Sequence, residues 1–294
     1  MIELPTTAPL VGEPIEAPAP RLSGSAAALP GIRADAGLLA DRWLAAASVA
    51  GHAHQSLGAT GQDSYRFALS VDGSALALVV CNGLGGYPHT SQLGADLFAR
   101  LGGAAVAEIG AAEADARGAA ALAGPIERVN AMLIDEFSDI ATADWAISCL
   151  RFTTLVCRVP LSGDRPALVA RVGGGELFLL HGDRYTTALP AREPGPANVV
   201  RASLPHARPA SVLELAEIDL GAADLLVLAT GGLAGDIFDS PAVRSWLSWQ
   251  WSVHCGPARM LDSLRYRRQG SHDDRTAIAL WLRGIQDGDA HGSI

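Results

Sequence analysis

The sequence predicts an α+β domain built on large antiparallel sheets. Three observations carry this expectation. Strand-like runs fall into two groups separated by two long helix-patterned segments, so strands and helices segregate along the chain. Hydrophobic residues fill 49% of the 294 positions, enough to bury a large core. Neither a repeat nor a linker interrupts residues 36–284, so a single domain is expected there.

Residues 1–35 are expected to form a flexible tail, being rich in Pro, Ala, Thr and Ser without periodicity to about Pro30. Residues 35–43 predict a short helix. Residues 43–50 and 64–69 read as strands, and the continuous apolar run 75–81 as a fully buried one. Apolar residues at i, i+3 and i+4 predict helices over 90–109 and 125–140. Strands are expected over 148–159, 167–172, 176–181, 212–218 and 224–229, with turn residues between them. Residues 241–251 predict a helix opened by Pro241. A second helix is expected over 256–268 and a closing strand over 276–282. Residues 285–294, rich in Gly, Asp and Ser, are expected to fray. Trp246, Trp249 and Trp251 cluster in one of these helices and are expected to pack into the core.

Composition excludes several functions. The net charge of -9 removes the phosphate attraction behind non-specific nucleic-acid binding. The chain has no lysine, so a Walker A loop, a protein-kinase strand lysine and a Schiff base are all ruled out. A composition rich in Ala and Arg suggests a GC-rich bacterial genome. Cys81, Cys149, Cys157 and Cys255 form no C-x-x-C pair and read as reduced, buried thiols. No basic start leads into an apolar run, and the longest clean apolar run, 75–81, is far short of the ~20 residues of a membrane span. A cytoplasmic location, with neither membrane nor nucleic-acid partners, is the expectation.

Five short segments carry the chemistry. Gly51-His52-Ala53-His54 leads to Gly61-Gln62-Asp63-Ser64. Val79-Val80-Cys81-Asn82-Gly83-Leu84-Gly85-Gly86 follows, then Leu228-Ala229-Thr230-Gly231-Gly232, then Ser271-His272-Asp273-Asp274-Arg275-Thr276. In this order and at these separations they resemble the PPM-type protein phosphatases, the metal-dependent or type 2C family, and in particular a bacterial branch. The resemblance spans residues 43–283. It implies an α-β-β-α sandwich of two antiparallel sheets flanked by helix pairs, with metals at one edge. In that family two divalent ions hold a bridging water, lower its pKa and neutralise the phosphoryl oxygens. Hard cations such as Mg and Mn take carboxylate and carbonyl oxygens.

The resemblance places metal-ligand positions at Asp63, Asn82, Gly83 (through its carbonyl), Gly231 and Asp273, and it places His54 at the mouth as a possible phosphate contact. Two of these positions are degenerate. Asn82 stands where the family has its bridging Asp, and Gly231 where it has the Asp of S/T-D-G. A third family acid is replaced by Gly174, and Asp236 lies one position away from where the lost acid after Gly231 would be sought. At an effective dielectric of 20, a carboxylate and a dication ~4 Å apart attract by roughly 8 kcal/mol before desolvation. Asn82 offers one neutral acceptor oxygen, and the glycines offer no side chain. The expectation is no metal or weakly bound Mg/Mn, no assigned catalytic residue, and a pseudophosphatase that binds a phosphoprotein or a Ser/Thr kinase partner. The alternative is an active Mg/Mn-dependent phosphoserine/phosphothreonine phosphatase with an altered site using Asp63, Asp273, Asp274 and one metal. An H-x-H metal pair at His52 and His54 is disfavoured because no third ligand lies near in sequence.

Overall fold

The computed structural model describes Val11, residues 31–85, 88–138, 141–162 and 165–189, Val200 and residues 202–283. The chain enters as a hairpin, β1 (Ile32–Leu39) and β2 (Arg42–Val49). A short helix α1 (His52–Ser56) precedes β3 (Asp63–Leu69) and β4 (Ala75–Gly83). The first helical layer follows: α2 (Pro88–Ala107), α3 (Ala111–Arg117), α4 (Ala123–Ser138) and α5 (Ala143–Cys149). Five strands come next: β5 (Phe152–Pro160), β6 (Ala167–Val172), β7 (Glu176–His181), β8 (Arg184–Thr187) and β9 (Glu214–Ile218). After β10 (Leu225–Ala229) the second helical layer, α6 (Gly231–Asp239), α7 (Pro241–Gln250) and α8 (Pro257–Leu264), leads to β11 (Arg275–Trp281).

The strands form two antiparallel sheets, ordered β1-β2-β11-β10-β7-β8 and β3-β4-β5-β6-β9. Side-chain alternation explains the four layers. Leu76, Leu78 and Val80 of β4 meet Leu226 and Leu228 of β10 and Ile278 and Leu280 of β11 between the sheets. The intervening Ala77, Val79 and Cys81 face α2 and α4. Leu225, Val227 and Ala229 face α6, α7 and α8 in the same way. A strand buried on both faces must be apolar at every position, which is why 75–81 reads as one continuous run. This is the expected α-β-β-α sandwich. All four cysteines are free and buried. Among the described residues no helix is long and apolar enough to cross a membrane.

Several local expectations are corrected. Residues 35–43 are no helix: they form the end of β1, the turn and the start of β2, and the turn places Ala40 and Asp41 at φ 50° and 62°. Their Ala- and Leu-rich composition suits a helix, but pairing with β2 and packing of Ala34 and Ala36 on the core override it. The segment 148–159 begins as the end of α5, a helix capped by Thr142, whose hydroxyl accepts the Trp145 N–H at 3.1 Å. The helix expected to reach residue 268 stops at Leu264. Trp246 and Trp251 are tied inward to Ser263, but Trp249 is 63% exposed. The boundary drawn after residue 35 falls inside β1, and Val11 is buried, donating its N–H to the Arg267 carbonyl at 3.1 Å. The rest of the expected N-terminal tail up to residue 30, and the whole expected C-terminal tail, lie outside the described residues.

One buried ionic network positions the loop that enters β11. Asp236 on α6 accepts from Arg275 Nε (2.9 Å), Arg268 Nη1 (2.9 Å), Tyr266 Oη (2.7 Å) and Ser271 Oγ (2.5 Å). Arg275 also lies over the Tyr266 ring at 4.1 Å. The carboxylate is thus consumed in structure and does not stand in for the acid absent at Gly231. Removing one member of such a buried pair strands the other charge. Asp236→Ala is therefore expected to lower unfolding stability by about 3–5 kcal/mol, read from denaturant midpoints.

Candidate metal edge

The site lies where β3, β4, β10 and β11 end together. Asp63 and Asn82 are direct cross-strand partners in the β3–β4 register. Asp63 is fully buried. Its Oδ2 accepts from Thr230 Oγ1 at 2.6 Å, while Oδ1 has no hydrogen-bond partner. Thr230 Oγ1 in turn accepts the Thr276 N–H at 3.1 Å, so the contact joins one sheet to the other.

The three neutral positions marked by the resemblance converge on the same spot. A Cβ built at Gly231 would stand 3.6 Å from Asn82 Nδ2. A Cβ at Gly174 would lie 4.0 Å from the Gly231 Cα and 3.5 Å from Thr153 Oγ1. Asn82, Gly174 and Gly231 thus face one another without a carboxylate among them. Gly83 is required sterically: a Cβ there would press on Gln62 and Ser91 at 3.0 Å. Its N–H donates to the Gln62 carbonyl at 3.1 Å.

Asp273 and Asp274 separate into two environments. Asp273 is exposed, and its Oδ1 accepts the Asp274 N–H at 2.9 Å. Asp274 is fully buried. Its Oδ1 accepts from the Gly51 N–H at 2.6 Å and its Oδ2 from the Gln62 N–H at 2.5 Å. His54 Nδ1 completes the set at 2.8 Å from Oδ1. The loop bearing these acids is wedged between Gly51 and Gly232, where any Cβ would overlap its backbone. His54 therefore holds Asp274, while the neighbouring His52 ring faces His272 at 6.1 Å. Among the described residues no group of three or more His, Cys, Asp or Glu is placed to hold a metal.

The electrostatics follow from crowding acids at one edge. Burial, then the charges of Asp274 and Asp273, raise the Asp63 pKa well above the ordinary carboxylate range. Partial desolvation and Asp274 raise that of Asp273. The hydrogen bond to Asp274 raises that of His54. The orphaned Asp63 Oδ1 and the exposed Asp273 suit a cation. Two hard dications need several more negative oxygens, and Asn82, Gly174 and Gly231 do not supply them. The residues present therefore do not fit a two-metal centre.

The sequence-predicted Asp63, Asn82, Gly83, Gly231 and Asp273 do come together, and His54 adjoins them through Asp274. Thr230 and the paired glycines Gly51 and Gly232 were not anticipated. Asp274 entered the sequence reading only as a ligand of the alternative one-metal site. The available signal was its position directly before β11, a strand buried along its whole length.

The Protein phosphatase 2C family model matches residues 50–265. The chain belongs to the protein phosphatase 2C family. None of the curated proteins compared matches it in sequence. Solved structures share the fold. A bacterial serine phosphatase superposes with a TM-score of 0.56 at 15% identity, covering 83% of this chain and 98% of that one. The serine/threonine phosphatase Stp1 from Staphylococcus aureus gives 0.56 at 13% identity, covering 90% and 100%. PppA, described as a key regulatory component of T6SS in Pseudomonas aeruginosa, gives 0.53 at 20% identity, covering 87% and 99%. At these identities the likeness is one of fold.

The raised Asp63 pKa has a definite sign. Its contribution to stability is present in full below the ordinary carboxylate pKa of 3.8 and is lost as pH rises through the raised folded value. Asp63→Asn is therefore expected to raise the melting temperature at neutral pH, and the gain is expected to vanish toward pH 4. Thermal unfolding of both proteins across that range checks it; a variant less stable at neutral pH contradicts it.

Proposed function

We propose that this 2C-type chain is a pseudophosphatase, a phosphatase fold retained to bind a phosphoprotein or a Ser/Thr kinase-pathway partner. One observation carries the reading: Asn82, Gly174 and Gly231 meet at the sheet edge with no carboxylate among them. Three gross attractions of roughly 8 kcal/mol each are missing from any dication pair there. Mg or Mn is bound weakly or not at all. A partner in phosphoprotein signalling is supported by the family and by the regulatory description of PppA. The four buried free thiols favour a reducing, cytoplasmic setting.

A second reading is favoured by the unpartnered Asp63 Oδ1. With the exposed Asp273 it leaves two acids for one hard cation, as an active phosphatase with an altered site requires. Hydrolysis of p-nitrophenyl phosphate and of a phosphothreonine peptide in Mn or Mg separates the two. The pseudophosphatase is expected to stay at the blank rate, and Asn82→Asp with Gly231→Asp is expected to rise above it. Turnover by the native chain that Asp273→Ala abolishes would establish the second reading instead.

A further inference from the structure

The two sheets open again at the end of the sandwich opposite the metal edge. β2 runs from Arg42 here to Val49 beside the site, and β11 returns from Arg275 to Trp281. Roughly 20 Å of strand separates the two ends. Between the sheets at this far end lies a pocket of about 670 Å³. That volume falls within the common range for small-molecule sites. Its walls come from both sheets. The apolar part of its lining is Leu161, Leu220 and Leu282, partly buried and packed on the inter-sheet core of Val159 and Leu280 beneath them.

The rim carries three arginines, and they are not equivalent. Arg165 pairs with Asp115 at 2.8 Å and Arg283 with Asp224 at 2.7 Å. The rim carboxylate of Asp219 accepts the Gly221 N–H at 2.8 Å. Arg42 is partly buried at the pocket wall, yet among the described residues it has no hydrogen-bond or ion-pair partner. The β1–β2 turn presents it. That turn holds two residues other than glycine, Ala40 and Asp41, at positive φ, a conformation that L-residues rarely adopt. A partly desolvated guanidinium with open donors above an apolar floor is matched by an anion with an apolar body.

We propose that this pocket binds an amphiphilic anion, an alkyl or acyl chain lying on Leu161, Leu220 and Leu282 with its carboxylate or phosphate head on Arg42. The site is independent of the metal edge, so it stands whether or not the chain hydrolyses phosphoesters. The test is calorimetry and thermal shift on the full chain with hexanoate, octanoate and decanoate, each below its micellar concentration. Affinity is expected to rise about three- to fourfold per methylene. Decanol and acetate are expected to bind at least tenfold more weakly than decanoate. Arg42→Gln is expected to lose at least tenfold in decanoate affinity, Arg42→Lys to keep part of it, and Ala222→Trp, which fills the pocket, to abolish binding. Monodecyl phosphate alongside decanoate identifies the preferred head group. The proposal is overturned if neither saturates, if decanol matches decanoate, or if Arg42→Gln binds as the native chain does.

Discussion

Two buried carboxylates hold the ends of the two sheets together, and the candidate site exists because of them. Asp274 gathers the Gly51 and Gln62 amides and the His54 ring onto the start of β11. Asp63 reaches across from β3 to Thr230 after β10. Hydrogen bonds onto buried carboxyl groups demand close geometry. The geometry is supplied by Gly51 and Gly232, which let the intervening loop pass at a distance no other residue permits. Behind this edge, Asp236 with Arg268 and Arg275 fixes the incoming chain.

Such an edge concentrates like charge. Asp274 and Asp273 raise the cost of ionising Asp63, and Asp274 raises that of Asp273, with His54 the nearby compensating group. Each further carboxylate without a cation would add to that repulsion. The neutral residues at 82, 174 and 231 therefore have a structural consequence as well as a chemical one. They add no further negative charge to an edge that already crowds Asp63, Asp273 and Asp274.

Much of the architecture was legible in the sequence because it rests on periodicity. Fully buried strands are apolar throughout, and the helices of the outer layers repeat every three to four residues, so β4, β6, β7, α2 and α4 were all anticipated. The misread segments were those in which tertiary pairing overrode local composition. Most of β1 and the turn after it are made of residues that suit a helix, and α5 was hidden beside a long apolar strand. At the site, the family motifs located Asp63, Asn82, Gly83, Gly231 and Asp273. The motif spacing says nothing about which of two adjacent acids turns inward, so the clamp of Asp274 was visible only once the strands were paired. The arginine pocket at the opposite end has no local signature, because Arg42, Val159 and Leu282 are brought together by topology alone.

Mn(II) is the direct probe of how few negative oxygens meet at the metal edge. Titration of the native chain with Mn(II), followed by electron paramagnetic resonance of the free ion, counts bound cations and their affinity. No pair of saturable sites is expected, with free Mn(II) tracking added Mn(II) into the millimolar range. Two tightly bound ions per chain, released together by Asp63→Asn, would contradict it.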